Sequence, residues 1–289
     1  MRGTQPMIAD ENTSSRMNVP NALRLFRVLH RHFEHPYLIA LLRLGWLKLR
    51  YFPYTIHKGP HTYLMLARPT TTSLADLFVL REVLLEETYR DALPLLPRRG
   101  LRVVDIGANL GAFTIWLSQA AQVDEAFCFE PEPDSFRLLR FNLGRNGCGF
   151  AHALENAVGG RSRTAQITLK EDSPGGTNIY SPPPGGERSK GSDIQVVALS
   201  EWLGRTPGAF DLLKMDCEGS EWEIVRQTSP SDLARFRAVV AEVHEDPEGR
   251  QPVEHFGALL ESAGFRTVRW DRKAFGLYVG ARDSQAPGL

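Results

Sequence analysis

Val104-Asp105-Ile106-Gly107-Ala108-Asn109-Leu110-Gly111 is the stretch on which the reading of this chain turns. Arg102 to Ile106 is a short run rich in β-branched residues that follows Pro97, Arg98, Arg99 and Gly100 and stops at Gly107, which reads as a strand between turns. Leu110 to Gln119 then places Leu110, Phe113, Trp116 and Leu117 at helical spacing, and Ala126 to Glu130 is a second short apolar run, closed by Pro131. Strand, helix and strand thus follow one another at the length of one βαβ unit. Gly107 and Gly111 lack a Cβ, so a ligand can approach the backbone of the turn closely. Taken alone, the same spacing also fits a plain tight strand-to-helix turn.

Working outward, Pro133 to Asn146 reads as a helix with Phe136, Leu139 and Leu143 on one face, and Ala151 to Val158 as a third strand. Gly159 to Val197 reads as a β-hairpin insertion around a mobile loop, because Ser181 to Ser192 is a run of breakers and polar residues. Strands over Asp211 to Met215 and Ala238 to Val243 alternate with helices over Ser220 to Arg226 and Val253 to Ala263. Phe265 to Trp270 and Phe275 to Ala281 are joined by a link short enough only for an antiparallel pair. The alternation predicts an α/β protein with a doubly wound, mainly parallel sheet and a terminal antiparallel strand. Residues before 100 read as mostly helical, with Ser73 to Tyr89 the strongest amphipathic segment. The expected organisation is a disordered tail over 1–20, a helical region over 21–69, a catalytic domain over 70–282 and a tail over 283–289.

Lysine plus arginine and aspartate plus glutamate each total 34 of the 289 residues, so the formal charge is zero and no global field gathers nucleic acid. The 42% hydrophobic and 24% charged content is that of a folded globular chain. Cys128, Cys148 and Cys217 are widely spaced without a CxxC pair, which favours a reducing, cytoplasmic setting over a disulfide framework or a zinc site. Met1 to Asn18 has no apolar core of a secretory signal. Tyr37 to Phe52 is apolar but broken by Arg43, Lys48 and Arg50, so it does not span a membrane. It reads as an amphipathic helix packed on its own domain, with contact to a bilayer or a lipid-linked substrate as the alternative.

The turn is GANLG, and neither GxGxxG nor GxxxxGK[ST] occurs, which disfavours a dinucleotide or a P-loop nucleotide. Asp105 would repel a pyrophosphate but suits a cofactor with an ammonium group, and S-adenosylmethionine carries an α-ammonium and a sulfonium. Glu130, at the end of the second strand, is placed to accept hydrogen bonds from ribose hydroxyls, or else simply closes a turn. Asp216, Glu218, Glu221 and Glu223 crowd a second strand-to-helix turn. Glu221 and Glu223 read as partners of the helix dipole, and Asp216 and Glu218 as crevice residues that orient a methyl donor or remove a hydroxyl proton. His244, in AEVHED, is the first candidate base because its ordinary pKa suits proton acceptance at neutral pH. The alternatives are a histidine merely hydrogen-bonded at a strand end, and Asp216 as the base. A divalent metal on Asp216, Glu218, Glu242 and His244 is compatible with ligand chemistry, but the sequence reading assigns no metal.

DIGANLGAFT, FEPEPDSF and DLLKMDCEGSEWEIV followed by VVAEVH resemble the FkbM-type S-adenosylmethionine-dependent O-methyltransferases over roughly residues 70 to 282. The resemblance implies the seven-stranded, Rossmann-like class I methyltransferase sheet. It places Asp105, Gly107, Asn109 and Gly111 around the methionine part of the donor, Glu130 on its ribose, and Asn156 and Ala157 near the adenine. Ala108, Phe113, Pro131 and Asp216 complete that cofactor set, with His244, Asp216 and Glu218 as the catalytic candidates. The upstream stretch Arg68 to Tyr89 also resembles the family, although Leu74-Ala75 displaces the pattern through which Thr72 or Asp76 would touch the donor. The acceptor implied is a small molecule or glycan: a sugar, glycolipid or related natural product methylated on a hydroxyl. Arg188 and Lys190, in the breaker-rich loop, are either contacts for an anionic acceptor or solvated charges. The rival functions are an NAD-type oxidoreductase on the same sheet and a non-catalytic cofactor-binding scaffold.

Overall fold

The computed structural model describes residues 28, 30–43, 49–69, 75–166, 193–272 and 275–283. The expected N-terminal tail, Thr72, Arg188, Lys190 and the Ser181 to Ser192 loop lie outside them. Helix α1 (Pro36–Arg43) buries Ile39 and Leu42 and leaves Tyr37 exposed. At the far end of the Tyr37 to Phe52 segment, Phe52 already belongs to a strand, and residues 44–48 lie outside the described residues. No described helix is long and apolar enough to cross a membrane.

The expectation that residues before 100 are mostly helical fails between Phe52 and Ala67. Strands β1 (Phe52–Lys58) and β2 (His61–Ala67) form an antiparallel hairpin. Their signal is a period of two: Phe52, Tyr54 and Ile56 are buried on one strand, and Tyr63, Met65 and Ala67 on the other. The amphipathic Ser73 to Tyr89 segment is likewise not one helix. Its described part is α2 (Ala75–Leu80), a π-helical turn over Arg81–Leu85, and the start of a 3-10 helix over Thr88–Leu95.

From residue 101 the alternation follows the sequence: β3 (Leu101–Ile106), α3 (Ala112–Ala120), β4 (Val123–Phe129), α4 (Pro133–Arg145) and β5 (Ala151–Leu154). The third strand is shorter than expected, because the chain leaves the sheet after Leu154. β6 (Ala157–Gly159), β7 (Arg163–Gln166) and β8 (Asp193–Ala198) form a separate small sheet in which β7 and β8 are the expected hairpin. Then come α5 (Leu199–Arg205), β9 (Phe210–Met215), α6 (Ser220–Gln227), α7 (Pro230–Leu233), β10 (Phe236–Val243), α8 (Phe256–Ser262), β11 (Arg266–Trp270) and β12 (Gly276–Ala281). The main sheet has seven strands in the order β11-β12-β10-β9-β3-β4-β5. Strands β10, β9, β3, β4 and β5 run parallel, and β12 lies antiparallel to both β10 and β11. Winding moves from β3 to β4 and β5, then crosses to β9 and β10 on the other side. The carboxyl ends of β3 and β9 therefore flank the switch point where such sheets bind ligands.

Both sheet faces are covered, with Val103 turned into one core and Val104 into the other. The hairpin shares the first core, where Tyr54, Ile56, Tyr63 and Met65 cluster with Leu110, Ile115 and Leu139. Its free edge is closed by side chains of α4 standing in for a third strand. Leu66 N–H donates to Asn142 Oδ1 (2.7 Å), while Asn142 Nδ2 donates to the carbonyls of Leu66 and Leu110 (both 3.0 Å). Asn146, one turn later, repeats the pattern with Leu64 N–H (3.0 Å) and its carbonyl (2.9 Å). Asn142 is fully buried, so its loss strands backbone groups away from water. Asn142→Ala is expected to cost about 3 kcal/mol in urea unfolding, whereas an exposed control such as Arg140→Ala should stay within about 0.5 kcal/mol.

Candidate active site at the switch point

In the first turn the backbone donors are spent within the protein. Gly107 and Ala108 N–H both donate to Phe129 O (3.0 and 2.9 Å), Asn109 N–H to Glu130 Oε2 (2.9 Å), and Gly111 N–H to Ala108 O (2.8 Å). Asn109 is a non-glycine residue at φ 48, and its side-chain Oδ1 is buried with no hydrogen-bond partner. Glu130 also accepts from Glu132 N–H (2.9 Å). Burial raises the Glu130 carboxyl, the two N–H donors pull it back, and the result is a group pushed up to about 7.

The glycine of this turn serves a neighbouring strand. Gly107 has φ 73, and a Cβ there would stand 1.8 Å from the Asp216 carbonyl oxygen, so the ends of β3 and β9 touch backbone to backbone. A lysine fastens them. Lys214 Nζ lies 3.2 Å from Asp105 Oδ1, donates to Gly107 O at 2.8 Å, and lies 3.9 Å from Asp216 Oδ2. Burial alone would push this ammonium towards neutrality, but Asp105 and Asp216 hold it above its ordinary range. Asp105 is fully buried, and its second oxygen accepts from Thr114 Oγ1 (2.8 Å). Asp105 was expected to meet a donor ammonium; in this structure its charge faces Lys214.

The second turn gathers the acidic residues. Glu218 adopts φ 55, and Gly219 starts α6. Glu221 is fully buried and accepts from Cys217 N–H (2.6 Å) and Gly219 N–H (2.8 Å), while His244 Nδ1 lies 3.1 Å from its Oε1. Glu221 is thus the anchor of His244 rather than only a partner of the helix dipole. Glu223 points elsewhere, to Arg163 at 2.7 Å. His244 Nε2 faces Glu218 at 3.7 Å and Glu242 at 3.9 Å. Burial disfavours charge on the ring, yet Glu221, Asp216 and Glu218 outweigh it and His244 is pushed up to about 10. The acidic surround thus favours the protonated ring, in which His244 donates to these carboxylates. Asp216 accepts from Tyr89 Oη at 3.1 Å. Ligand-capable atoms of Asp216, Glu242 and His244 lie within 4.8 Å of one another. Glu242 also lines a cavity of about 320 Å³ together with Glu82, Glu86, Glu87, Asp271 and Arg269.

The methyltransferase FkbM domain model matches residues 105–267, which include both turns and the strands between them. The chain belongs to the FkbM methyltransferase family. S-adenosylmethionine is the methyl donor of that family. The 31-O-demethyl-FK506 methyltransferase FkbM of Streptomyces tacrolimicus is 28% identical over 66% of this chain and 82% of its own. Methyltransferase sdnD of Sordaria araneosa is 26% identical over 71% of this chain and 89% of its own. Among solved structures, the methyltransferase FkbM of Methylobacillus flagellatus KT covers 64% of this chain and 45% of its own, at 15% identity and a TM-score of 0.43.

Within this FkbM domain the predicted site residues separate by role. Asn109 and Glu130 sit together with polar atoms just beyond the carboxyl ends of β3 and β4. Pro131 is half-buried beside them, and Asn156 and Ala157 follow Leu154, whose carbonyl accepts from Glu130 N–H. Ala108 and Phe113 belong to the hydrophobic core, Phe113 packing edge-on against Tyr89 at 5.1 Å. Gly111 is a packing position, since a Cβ there would stand 2.9 Å from Leu139 Cδ1. Asp76 is spent on Arg68, from which it accepts at 2.7, 2.9 and 3.0 Å. Lys214, Tyr89 and the anchoring role of Glu221 escaped the sequence reading. A lysine in the otherwise apolar run Leu212-Leu213-Lys214-Met215 was the available signal, because a buried cation needs a partner.

Asp105→Ala leaves Lys214 buried without its main counter-ion, so a loss of about 3 kcal/mol or more is expected in urea unfolding. A residue that served only the donor would change donor affinity and leave the unfolding midpoint where it is.

Proposed function

We propose that this FkbM methyltransferase transfers a methyl group from S-adenosylmethionine to a hydroxyl of a hydroxyl-rich small molecule or glycan that is not anionic. The observation that carries the reading is the pairing of Asn109 and Glu130: an unpartnered buried amide oxygen beside a carboxylate at the switch point. These groups fit the donor. Asn109 Oδ1 can accept from an ammonium, and the remaining lone pairs of Glu130 can accept from ribose hydroxyls. An NAD-type reading is disfavoured because the N–H groups of Gly107, Ala108, Asn109 and Gly111 are already bonded, leaving them unavailable to cradle a pyrophosphate. Oxygen as the methylated atom is supported by the name of the Streptomyces tacrolimicus relative.

S-adenosylmethionine, when bound, supplies a sulfonium methyl that an oxygen nucleophile displaces in line. The protein's part is to hold the acceptor oxygen and take its proton. Acidic side chains at 82, 86, 87, 242 and 271 line the acceptor-side cavity and outnumber the guanidiniums of Arg90 and Arg269; burial and the neighbouring Asp216 raise Glu82 and push Glu242 up to about 8, which leaves 86, 87 and 271 to supply most of the negative charge. Such a lining accepts hydrogen bonds from hydroxyls and repels a phosphate or a carboxylate. Asp216 and Glu218, with side chains 31% and 25% exposed, are the members of the second turn open to an acceptor proton. His244, fixed by Glu221, is a positioning residue that holds those carboxylates together.

Calorimetric titration with S-adenosylhomocysteine is expected to show saturable binding that Glu130→Ala abolishes, with no comparable binding of NAD. Because the ionised form of Glu130 is the better acceptor and its carboxyl is pushed up to about 7, the affinity should rise with pH. The expected gain from pH 6 to pH 8 is about tenfold, levelling off above. Glu130→Gln should flatten this profile. Strong NAD binding, or S-adenosylhomocysteine binding indifferent to Glu130, would count against the reading.

A further inference from the structure

We infer that Asp216, Glu242 and His244 form a site for one divalent cation at the acceptor end of the crevice. One ligand-capable atom from each lies within 4.8 Å of the others. The set is one imidazole and two carboxylates, with carboxylates suited to Mg2+ or Mn2+ and the imidazole to first-row ions such as Zn2+. Catalytic metal sites commonly take three protein ligands and keep a position open for substrate. Of the three, Glu242 also lines the neighbouring acidic cavity.

His244 supplies the independent observation. Its side chain is only 8% exposed, and Nδ1 is committed to the fully buried Glu221 at 3.1 Å. Nε2 is thereby aimed at the cluster, yet it makes no hydrogen bond among the described residues, with Glu218 at 3.7 Å and Glu242 at 3.9 Å as its carboxylate neighbours; a bound cation would take the place of the proton that Nε2 carries in its absence, releasing that proton to solvent. Those separations are too long for a direct bond. They are close to the roughly 3.4 Å edge between neighbouring ligands around a tetrahedral ion with bonds of about 2.1 Å. A buried carboxylate behind the far nitrogen of a histidine is also the arrangement that orients metal-ligating imidazoles and raises their basicity. On the carboxylate side, Tyr89 Oη holds Asp216 Oδ2 at 3.1 Å and fixes its direction.

What the cation does rests on the methyltransferase reading; that it binds does not. An acceptor hydroxyl entering the open position would have its O–H bond weakened by the ion. Its proton would pass to Glu218, which is not one of the three ligands, as the oxygen–methyl bond forms and the sulfur–methyl bond breaks.

The test uses the full chain, freed of metal with EDTA and titrated with Mn2+, with free ion followed by electron paramagnetic resonance. One equivalent is expected to bind saturably and to be displaced by Zn2+ or Mg2+. Glu242→Gln should abolish this binding and Glu221→Gln weaken it about tenfold, while Glu86→Gln, in the same acidic cavity, leaves it unchanged. Circular dichroism and the urea unfolding midpoint, measured on the same samples, report whether each variant is folded, and S-adenosylhomocysteine affinity reports the donor site. Intact S-adenosylhomocysteine binding without saturable Mn2+, Mg2+ or Zn2+ binding overturns the cation site alone. Mn2+ binding that survives in a folded Glu242→Gln also overturns it. Cation binding lost in Glu242→Gln, with no S-adenosylhomocysteine binding even in the unsubstituted chain, supports the site and overturns the donor reading instead.

Discussion

A single buried ammonium holds the crevice open at the right place. Lys214 projects from β9 to Asp105 on β3 and to the carbonyls at the end of that strand, so the two strands that flank the switch point are joined where they diverge into their turns. The join is tight enough that Gly107 must lack a Cβ, because the Asp216 carbonyl occupies that space. An ion pair so deeply buried is weak evidence of stability in its own right, since desolvation offsets much of its attraction. Its effect is positional. A charge that cannot leave fixes the register of both turns, and through Asp216 it also fixes the first carboxylate of the acceptor side.

From that join the crevice divides into two electrostatic halves. Towards β4 the chain presents hydrogen-bonding groups without a concentrated charge: an unpartnered amide oxygen and a carboxyl whose proton is held by burial. Towards β10 it presents a crowd of carboxylates balanced by one imidazolium. The second half is where a hydroxyl loses its proton in the proposed reaction, and a negative surround with a positive centre suits that task. The hairpin is tied to the first half rather than appended to it. Arg68, just after β2, bonds Asp76, Glu132 and Ser135, and Glu132 caps α4 two residues beyond Glu130. The asparagine ladder of α4 closes the edge of the hairpin.

The α/β alternation after residue 101 was legible because buried parallel strands are short apolar runs and their helices repeat at another period. The terminal pair was legible because its link is too short for a crossover. The hairpin before residue 70 carried an equally plain signal in Phe52, Tyr54 and Ile56, but the neighbouring apolar stretch at 37–52 obscured the change of period. Asp105 was legible as important, but its lysine partner was not. A strand-end carboxylate looks the same in sequence whether it faces a ligand or a lysine 109 residues later.

By itself the amino-acid sequence determined the sheet's alternation, the two acidic or glycine-bearing turns and the family to which they belong, because these depend on residues close together in the chain. Only the tertiary structure decided which charges are free. Lys214 cancels Asp105, Arg68 cancels Asp76, and Glu221 secures His244, each across a separation that sequence spacing does not encode. Burial then sets protonation, so the histidine that reads as a base on its ordinary pKa stands in the folded chain as a cation among carboxylates.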